Sequence, residues 1–123
     1  RTLENAEKLS EFAGKIGLTA DVLKIENVNG SAKNYDIIVN ATSIGLKNEE
    51  SVISLDGINE KTVVYDIVYM PMNTDFIKKA KENNAIVIYG YEMLLGQATR
   101  AFEIWHNMEA PYNTMKKALL GGF

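Results

Sequence analysis

The sequence contains no cysteine and only one histidine, His106, among its 123 residues. Without cysteine the chain can form neither a disulfide framework nor a catalytic thiolate, and this composition fits a cytoplasmic protein. A single histidine cannot build a zinc site of the usual kind, and His106 falls on the polar side of its predicted helix. We therefore expect neither cysteine chemistry nor a bound metal.

Long apolar runs are also missing, and neither sign of charge dominates. No run approaches the length of about 20 residues that spans a bilayer, and no basic-then-apolar secretory leader is present. Thirteen basic and sixteen acidic residues give a net charge of −3, which disfavours a nucleic-acid or anionic-membrane surface. The sequence thus predicts a single domain with neither nucleic acid nor membrane as a partner.

Three motifs that would name a chemistry directly are absent. The chain has no G-x-S-x-G nucleophile elbow, no Walker-type phosphate loop and no G-x-G-x-x-G dinucleotide fingerprint. Local motifs of these classes therefore do not identify its function.

Apolar segments alternate with amphipathic helical patterns along the chain. The predicted strands are residues 19–25, 35–45, 61–74 (interrupted by Pro71) and 85–90, and helices follow residues 2, 74, 89 and 110. Strands that are apolar throughout and alternate with helices are typical of a parallel sheet with both faces covered. The predicted fold class is therefore α/β, with helices on both faces of a parallel sheet.

The first residues, "RTLENAEKLSEFAGKIGL", already follow a helical repeat, with Thr2 as the expected N-cap. The helix places six apolar residues on one face: Leu3, Ala6, Leu9, Phe12, Ala13 and Ile16. A natural start would rarely sit on a helix cap, so we expect the chain to be part of a longer protein.

The helix predicted for "GYEMLLGQATRAFEIW" carries an amide, Gln97, within its apolar arc. That arc consists of Met93, Leu94, Ala98, Ala101, Phe102, Ile104 and Trp105. An amide buried without a partner costs about 2 kcal/mol. From periodicity alone, its partner is either a nearby backbone carbonyl or a ligand, and Met93 is more simply core filling than a ligand contact.

Polar and small residues gather where three predicted strands end. Residues 40–45, "NATSIG", follow one strand, Asp66 and Tyr69 follow the next, and Gly90 follows the last. Ligands of open α/β sheets bind beyond the carboxyl ends of the strands, so these residues are expected to line a cleft. The alternative is ordinary turn chemistry, with Asp66 bracing the loop that follows it.

Taken together, four motifs resemble the carboxy-terminal, nicotinamide-cofactor domain of the shikimate dehydrogenases. They are "RT" at residues 1–2, "NATSIG" at 40–45, "DIVYMPMNT" at 66–74 and "GYEMLLGQA" at 90–98. The resemblance implies a partial Rossmann-like, doubly wound parallel sheet, with residues 1–123 as one part of that cofactor domain. It also implies NADPH-dependent reduction of 3-dehydroshikimate to shikimate, in the biosynthesis of chorismate and the aromatic amino acids.

The resemblance also implies roles for individual residues. The implied cofactor-binding residues are Arg1, Thr2, Asn5, Thr42, Ser43, Ile67, Gly90 and Met93. Within that set, the Arg1 guanidinium would face the 2′-phosphate of NADP, for which a planar, permanently charged fork is well suited. The implied substrate contacts are Tyr69 and Gln97, with Gln97 bonding a shikimate hydroxyl in the intact enzyme and facing water in this chain.

The chain also departs from the family pattern. The glycine-rich pyrophosphate loop is absent, Asn5 stands where the family often has a second cation, and the family's catalytic Lys and Asp belong to its amino-terminal domain. We therefore expect no catalytic residue in this chain and no turnover by it alone.

Two alternatives remain open at this point. One is an NAD-dependent quinate/shikimate dehydrogenase, favoured by Asn5 and disfavoured by Arg1. The other is a non-catalytic Rossmann-like binding or assembly module. Without the first β-α-β unit of such a domain, we expect an unpaired sheet edge or bare apolar helix faces, which would allow self-association or a homodimer.

Overall fold

The computed structural model describes residues 2–28 and 30–121. Its helices are α1 (Leu3–Lys15), α2 (Asp75–Glu82), α3 (Gly90–His106) and α4 (Tyr112–Gly121), and its strands are β1 (Ile37–Asn40), β2 (Val63–Asp66) and β3 (Ile86–Ile88). The three strands form one parallel sheet in the order β1-β2-β3. This architecture confirms the predicted α/β class and the partial Rossmann-like sheet.

The register of the strands separates the sheet into a packed face and a more open one. Ile38 pairs with Val64, which pairs with Val87, and these three contact the core cluster that includes Phe76 and Ala80 of α2. On the opposite face Ile37, Val39 and Ile86 remain exposed: 63%, 49% and 52% of each residue's surface is accessible. The core of the described chain thus lies between the sheet and α2.

Both ends of α2 follow from its local sequence. The Thr74 hydroxyl accepts a hydrogen bond from the Ile77 N–H, as an N-cap should. At the other end Asn83 is the C-cap, and Asn84 takes the left-handed conformation with φ 59°, which asparagine tolerates better than most residues. The Asn83-Asn84 pair therefore ends the helix by chemistry that is local in sequence.

The first residue of α2, Asp75, also ties the helix to the preceding loop. Its Oδ2 accepts a hydrogen bond from the Ser51 N–H at 2.8 Å and lies 2.8 Å from Nζ of Lys79. The hydrogen bond from Lys79 and then that from Ser51 lower the pKa of Asp75 below its usual value. A carboxylate whose pKa is lower in the folded state stabilises that state above its unfolded pKa.

We expect Asp75→Asn to reduce the dependence of stability on acid. In the unchanged protein, the stabilisation by Asp75 is complete above the unfolded pKa of the carboxyl group and is lost as the pH falls through its lowered folded pKa. The measurement is the urea midpoint at a series of pH values, and Asp56→Asn, at an exposed loop carboxylate, is the matched control. Equal pH dependence in the Asp75→Asn variant and the unchanged protein would contradict the prediction.

The strand predicted for residues 19–25 is wrong. Residues 19–24 have no regular structure, and Ile25–Asn27 form a short 3₁₀ turn. A strand requires a neighbour to accept and donate its backbone hydrogen bonds, and no strand of the described chain pairs with this segment. Leu23 and Ile25, which made the segment look like a buried strand, are 49% and 47% exposed.

Helix α1 forms where the sequence predicts it, but none of its described residues is buried. Its apolar face remains open to solvent, with Leu9, Phe12 and Ile16 each more than half exposed. The helical repeat therefore predicts the element correctly without identifying its packing partner.

Within the part of the chain that the structure describes, no helix is long and apolar enough to cross a bilayer.

The predicted apolar arc of α3 is only partly the buried one. Leu95, which lies outside the predicted arc, is 2% exposed, whereas Ile104 and Trp105 inside it are 65% and 79% exposed. Helices α3 and α4 pack against each other, and the N-terminus of α3 packs on the chain that follows β2. These neighbours, rather than the breadth of the apolar arc, determine which α3 residues are buried.

Candidate functional site

The carboxyl ends of β1 and β2 are joined by a hydrogen bond between their last residues. The Asn40 side-chain N–H donates to Oδ1 of Asp66 at 3.0 Å. One residue further on, the Ile67 N–H donates to the Asn40 carbonyl at 3.1 Å. The segments that follow the two strands therefore begin from one connected point, at the sheet edge where ligands of α/β proteins bind.

Asp66 is fully buried and accepts three hydrogen bonds. Its Oδ1 receives the Asn40 amide and the Val68 N–H at 3.0 Å each, and its Oδ2 receives the Thr74 hydroxyl at 2.6 Å. Hydrogen bonds to a carboxylate are among the stronger ones in proteins. Asp66 thus braces the following loop, as the sequence suggests, and it also links that loop to β1 and α2.

The turn after β1 is organised by Asn40. Its Oδ1 accepts both the Thr42 N–H at 3.1 Å and the Thr42 hydroxyl at 2.7 Å, and the Thr42 hydroxyl accepts the Ile44 N–H at 3.1 Å. These contacts are ordinary turn chemistry, the alternative to a ligand-lined cleft that the sequence left open. Thr42 and Ser43 are nevertheless exposed, so both can also meet a ligand.

The turn closes at Gly45, where only glycine fits well. Gly45 has φ +105°, a region that side chains disfavour. A β-carbon there would lie 2.9 Å from the methyl carbon of Thr74. The close approach brings the turn after β1 against the N-cap of α2.

Glu49, in the acidic segment that follows this turn, holds the backbone of the turn. Its Oε2 accepts the Gly45 N–H at 3.0 Å and the Lys47 N–H at 2.8 Å. The bonds from the backbone of Lys47, of Glu49 itself and of Gly45 lower the pKa of Glu49. The sequence gives no signal for this contact, because it depends on the left-handed backbone at Gly45 and Asn48.

We expect Glu49→Gln to speed hydrogen exchange at the Gly45 and Lys47 amides at neutral pH. The neutral amide oxygen is a weaker acceptor than a carboxylate, so these two N–H groups open more often. Exchange is followed by two-dimensional NMR. The matched control is Glu50→Gln, which removes the same charge from the adjacent residue. Similar exchange rates in the two variants would contradict a specific role for Glu49.

The segment after β2 meets the start of α3 at Gly90. A β-carbon on this buried glycine would lie 2.6 Å from the carbonyl oxygens of both Ile67 and Val68. The missing side chain therefore lets α3 begin directly against the Ile67 backbone. Two residues implied as cofactor contacts, Ile67 and Gly90, are thus brought together.

The other implied contacts on this side are accessible to solvent. Met93 is 41% exposed and Tyr69 is 43% exposed, and Gln97 lies on the surface of α3. Met93 is therefore not core filling in this chain. The position of Gln97 within the predicted apolar arc of α3 suggested a buried amide, and that expectation is wrong. The expectation that Gln97 faces water in this chain is confirmed.

The resemblance also implies cofactor contacts at the start of the chain, and the structure does not assemble the described ones with the rest. Thr2 precedes α1 as its N-cap without a side-chain capping bond, and Asn5 is exposed on that helix. Arg1 lies outside the described residues. Because α1 has no buried residue, the structure does not fix Thr2 and Asn5 against the strand ends.

A cleft of about 340 Å³ runs along β1 and reaches only one of the three strand ends. Asn40 and Thr42 line it, together with Glu49, Thr74 and the apolar side chains of β1. Tyr69, Gly90 and Gln97 are not among its lining residues, so the single cleft expected at three strand ends is only partly formed.

In residues 2–28 and 30–121 no cluster of acidic and histidine side chains could hold a metal ion.

Comparison with known proteins connects this arrangement to one family. Residues 90–120 match the family model of the shikimate 5′-dehydrogenase C-terminal domain. The chain is 73% identical over 123 residues to the shikimate dehydrogenase (NADP⁺) of Nitrosopumilus maritimus, a match that covers 100% of this chain and 45% of that protein. It is 36% identical over 124 residues to the shikimate dehydrogenase (NADP⁺) of Methanococcus aeolicus, covering 98% of this chain and 44% of that one.

Solved structures agree with the sequence matches. A shikimate dehydrogenase in complex with NADP⁺ superposes with a TM-score of 0.85 at 32% identity, over 99% of this chain and 44% of that chain. The Thermus thermophilus shikimate 5-dehydrogenase, in complex with NADP(H) and shikimate, superposes with a TM-score of 0.78 at 29% identity, over 100% of this chain and 44% of that one. The chain therefore spans less than half the length of these relatives.

Proposed function

This chain belongs to the shikimate dehydrogenase family, and we propose that it forms the cofactor-binding part of an NADP-dependent enzyme. The proposed reaction is the NADPH-dependent reduction of 3-dehydroshikimate to shikimate, in the route to chorismate and the aromatic amino acids. The observation that carries the proposal is the 73% identity over the whole chain to a relative named shikimate dehydrogenase (NADP⁺). A cytoplasmic location is part of the same proposal.

The chemistry of the strand ends fits a nicotinamide nucleotide. Exposed hydroxyls at Thr42 and Ser43 follow β1, where polar groups of a nucleotide find donors and acceptors. Met93 presents a half-exposed thioether beside the start of α3, a soft surface suited to a flat ring. These features support the cofactor roles of Thr42, Ser43, Ile67, Gly90 and Met93.

NADPH, when bound, supplies the hydride that reduces the carbonyl. The residues of this chain would bind and orient the reactants. The Ile67 backbone and Gly90 would position the nicotinamide, while Tyr69 and the Gln97 amide would contact the substrate hydroxyls. The family's Lys and Asp, which handle the proton, belong to its amino-terminal domain.

Selection of NADP over NAD is assigned to Arg1 and Thr2, with Asn5 nearby. Support comes from the names of the relatives, which specify NADP⁺, and from the suitability of a guanidinium for a phosphate. The NAD-dependent quinate/shikimate alternative and the non-catalytic module are not favoured by these matches.

The test is shikimate-dependent reduction of NADP⁺, followed by absorbance, for the gene product at its natural length. We expect activity with NADP⁺ to exceed that with NAD⁺, and we expect the 123-residue chain alone to bind NADP⁺ weakly, if at all, and to turn over nothing. A natural-length protein that is inactive with shikimate would refute the proposed function. Turnover by the isolated chain would refute only the assignment of the catalytic residues to another domain.

We also propose that the isolated chain self-associates, for example as a homodimer. Strand β1 is at an edge of the sheet, and its Ile37 and Val39 side chains are about half exposed or more. An exposed apolar edge strand is a common site of association between chains. The measurement is the mass in solution by light scattering, and a monomeric mass at high concentration would contradict this proposal.

A further inference from the structure

We propose that Asp66 is a positioning residue for the cofactor site, which it serves by holding the turn after β1 and the segment after β2 in one fixed relation. This inference rests on the proposed function, because that function makes both segments ligand contacts. Asp66 itself is fully buried and is not one of the proposed ligand contacts. Its effect would pass through Asn40 and Val68.

The first connection runs through the Asn40 amide. This amide can present its nitrogen to Asp66 only by turning its oxygen towards Thr42, and the structure has that orientation: Nδ2 donates to Asp66 while Oδ1 accepts both Thr42 donors. The same nitrogen donates to the Ile44 carbonyl at 3.1 Å. The Asp66 carboxylate therefore selects the amide orientation that shapes the turn with Thr42 and Ser43.

The second connection fixes how the chain leaves β2. Oδ1 of Asp66 accepts the Val68 N–H two residues later, which forces a tight turn directly after the strand. The Ile67 and Val68 carbonyls on that turn are the groups against which Gly90 packs. Asp66 thus sets the backbone of Ile67 and, through it, the start of α3.

The third connection keeps the carboxylate itself from rotating. Oδ2 of Asp66 accepts the Thr74 hydroxyl at 2.6 Å, and that hydroxyl in turn accepts the Ile77 N–H of α2. The Thr74 methyl group lies against Gly45. The carboxylate is consequently held from one side by a packed helix and directs its other oxygen to the two segments of the site.

This arrangement predicts a kinetic effect that simple destabilisation would not produce. Asp66→Asn replaces one carboxylate oxygen with an NH₂ group. If the NH₂ faces Thr74, it can donate to the hydroxyl oxygen, but the Thr74 hydroxyl then no longer donates to residue 66, and the remaining oxygen accepts from Asn40 and Val68 as a weaker, uncharged group. Thr42, Ser43 and the Ile67 backbone all remain present but are held less firmly. We expect the KM for NADP⁺ to rise about tenfold, as for the loss of one hydrogen bond to a charged group, with a smaller change in kcat.

The experiment measures kcat and KM for NADP⁺, together with the thermal midpoint, in the natural-length protein. Thr74→Val is the second variant, since it keeps the methyl group against Gly45 and the carboxylate but removes the hydroxyl that orients it. Ile58→Val, which trims a core cluster that does not include Asp66, is the control for stability. We expect Asp66→Asn and Thr74→Val to raise the KM, and Ile58→Val to lower the thermal midpoint without moving the KM.

Different results refute different parts. If the unchanged protein reduces NADP⁺ with shikimate while both Asp66→Asn and Thr74→Val keep its KM, the positioning role is wrong and the proposed function stands. If Asp66→Asn fails to fold, Thr74→Val alone decides, and an unchanged KM in that variant overturns the role. If the unchanged protein is inactive with shikimate, the proposed function fails and the inference falls with it.

Discussion

Replacing Leu95 with alanine is expected to lower the free energy of unfolding by about 2–5 kcal/mol. Leu95 is 2% exposed and is the largest fully enclosed side chain of α3. Alanine there removes apolar contacts and leaves a cavity that the surrounding helices can fill only in part. The measurement is urea unfolding of the 123-residue chain, followed by circular dichroism.

The matched control lies on the same helix. Trp105 is 79% exposed, so Trp105→Ala is expected to change the free energy of unfolding by about 0.5 kcal/mol or less. This ordering reverses the one that side-chain size and the predicted apolar arc would suggest. A larger loss from Trp105→Ala than from Leu95→Ala would show that the arc, rather than Leu95, anchors the helix.

Gly90→Ala is expected to cost about 1–3 kcal/mol. The new methyl group would lie 2.6 Å from the carbonyl oxygens of Ile67 and Val68, and these backbone atoms cannot move aside as a flexible side chain could. The start of α3 must therefore shift away from the segment after β2. In the natural-length protein the same shift is expected to weaken NADP⁺ binding, because Ile67 and Gly90 are both proposed cofactor contacts.

Gly96→Ala supplies a control in which the same substitution has the opposite sign. Gly96 lies inside α3, and a β-carbon there would meet nothing within 4 Å. Alanine is better than glycine in a helix by about 1 kcal/mol, so Gly96→Ala is expected to stabilise the chain. Urea midpoints of the two variants test the pair, and a stabilising Gly90→Ala would refute the close contact at the start of α3.

Much of the fold could be predicted from periodicity and from end signals. Helices α1 to α4 begin within a residue or two of the predicted starts, and the three strands lie inside the predicted segments. The stop at Asn83-Asn84 and the cap at Thr74 were also readable, because capping is chemistry between neighbours in sequence. The failed strand at residues 19–25 shows the limit, since strand pairing needs a neighbour from elsewhere in the chain.

The candidate site was predictable to a lesser degree. The motifs indicate which residues cluster at the strand ends, and Asp66 is expected from them as a brace. The three donors that converge on its carboxylate come from positions 40, 68 and 74, and no local pattern predicts that they meet. The hold of Glu49 on the Gly45 turn was missed for the same reason.

The sequence by itself determined the α/β class, the helix positions and the family resemblance, because these depend on spacing, composition and motifs along the chain. Only the tertiary structure decided that Leu95 rather than Trp105 is buried and that Met93 is exposed rather than core filling. It alone showed that Gly90 must lack a side chain. Burial and close approach depend on which distant segments pack together, and the repeat of a single helix carries no information about its neighbours.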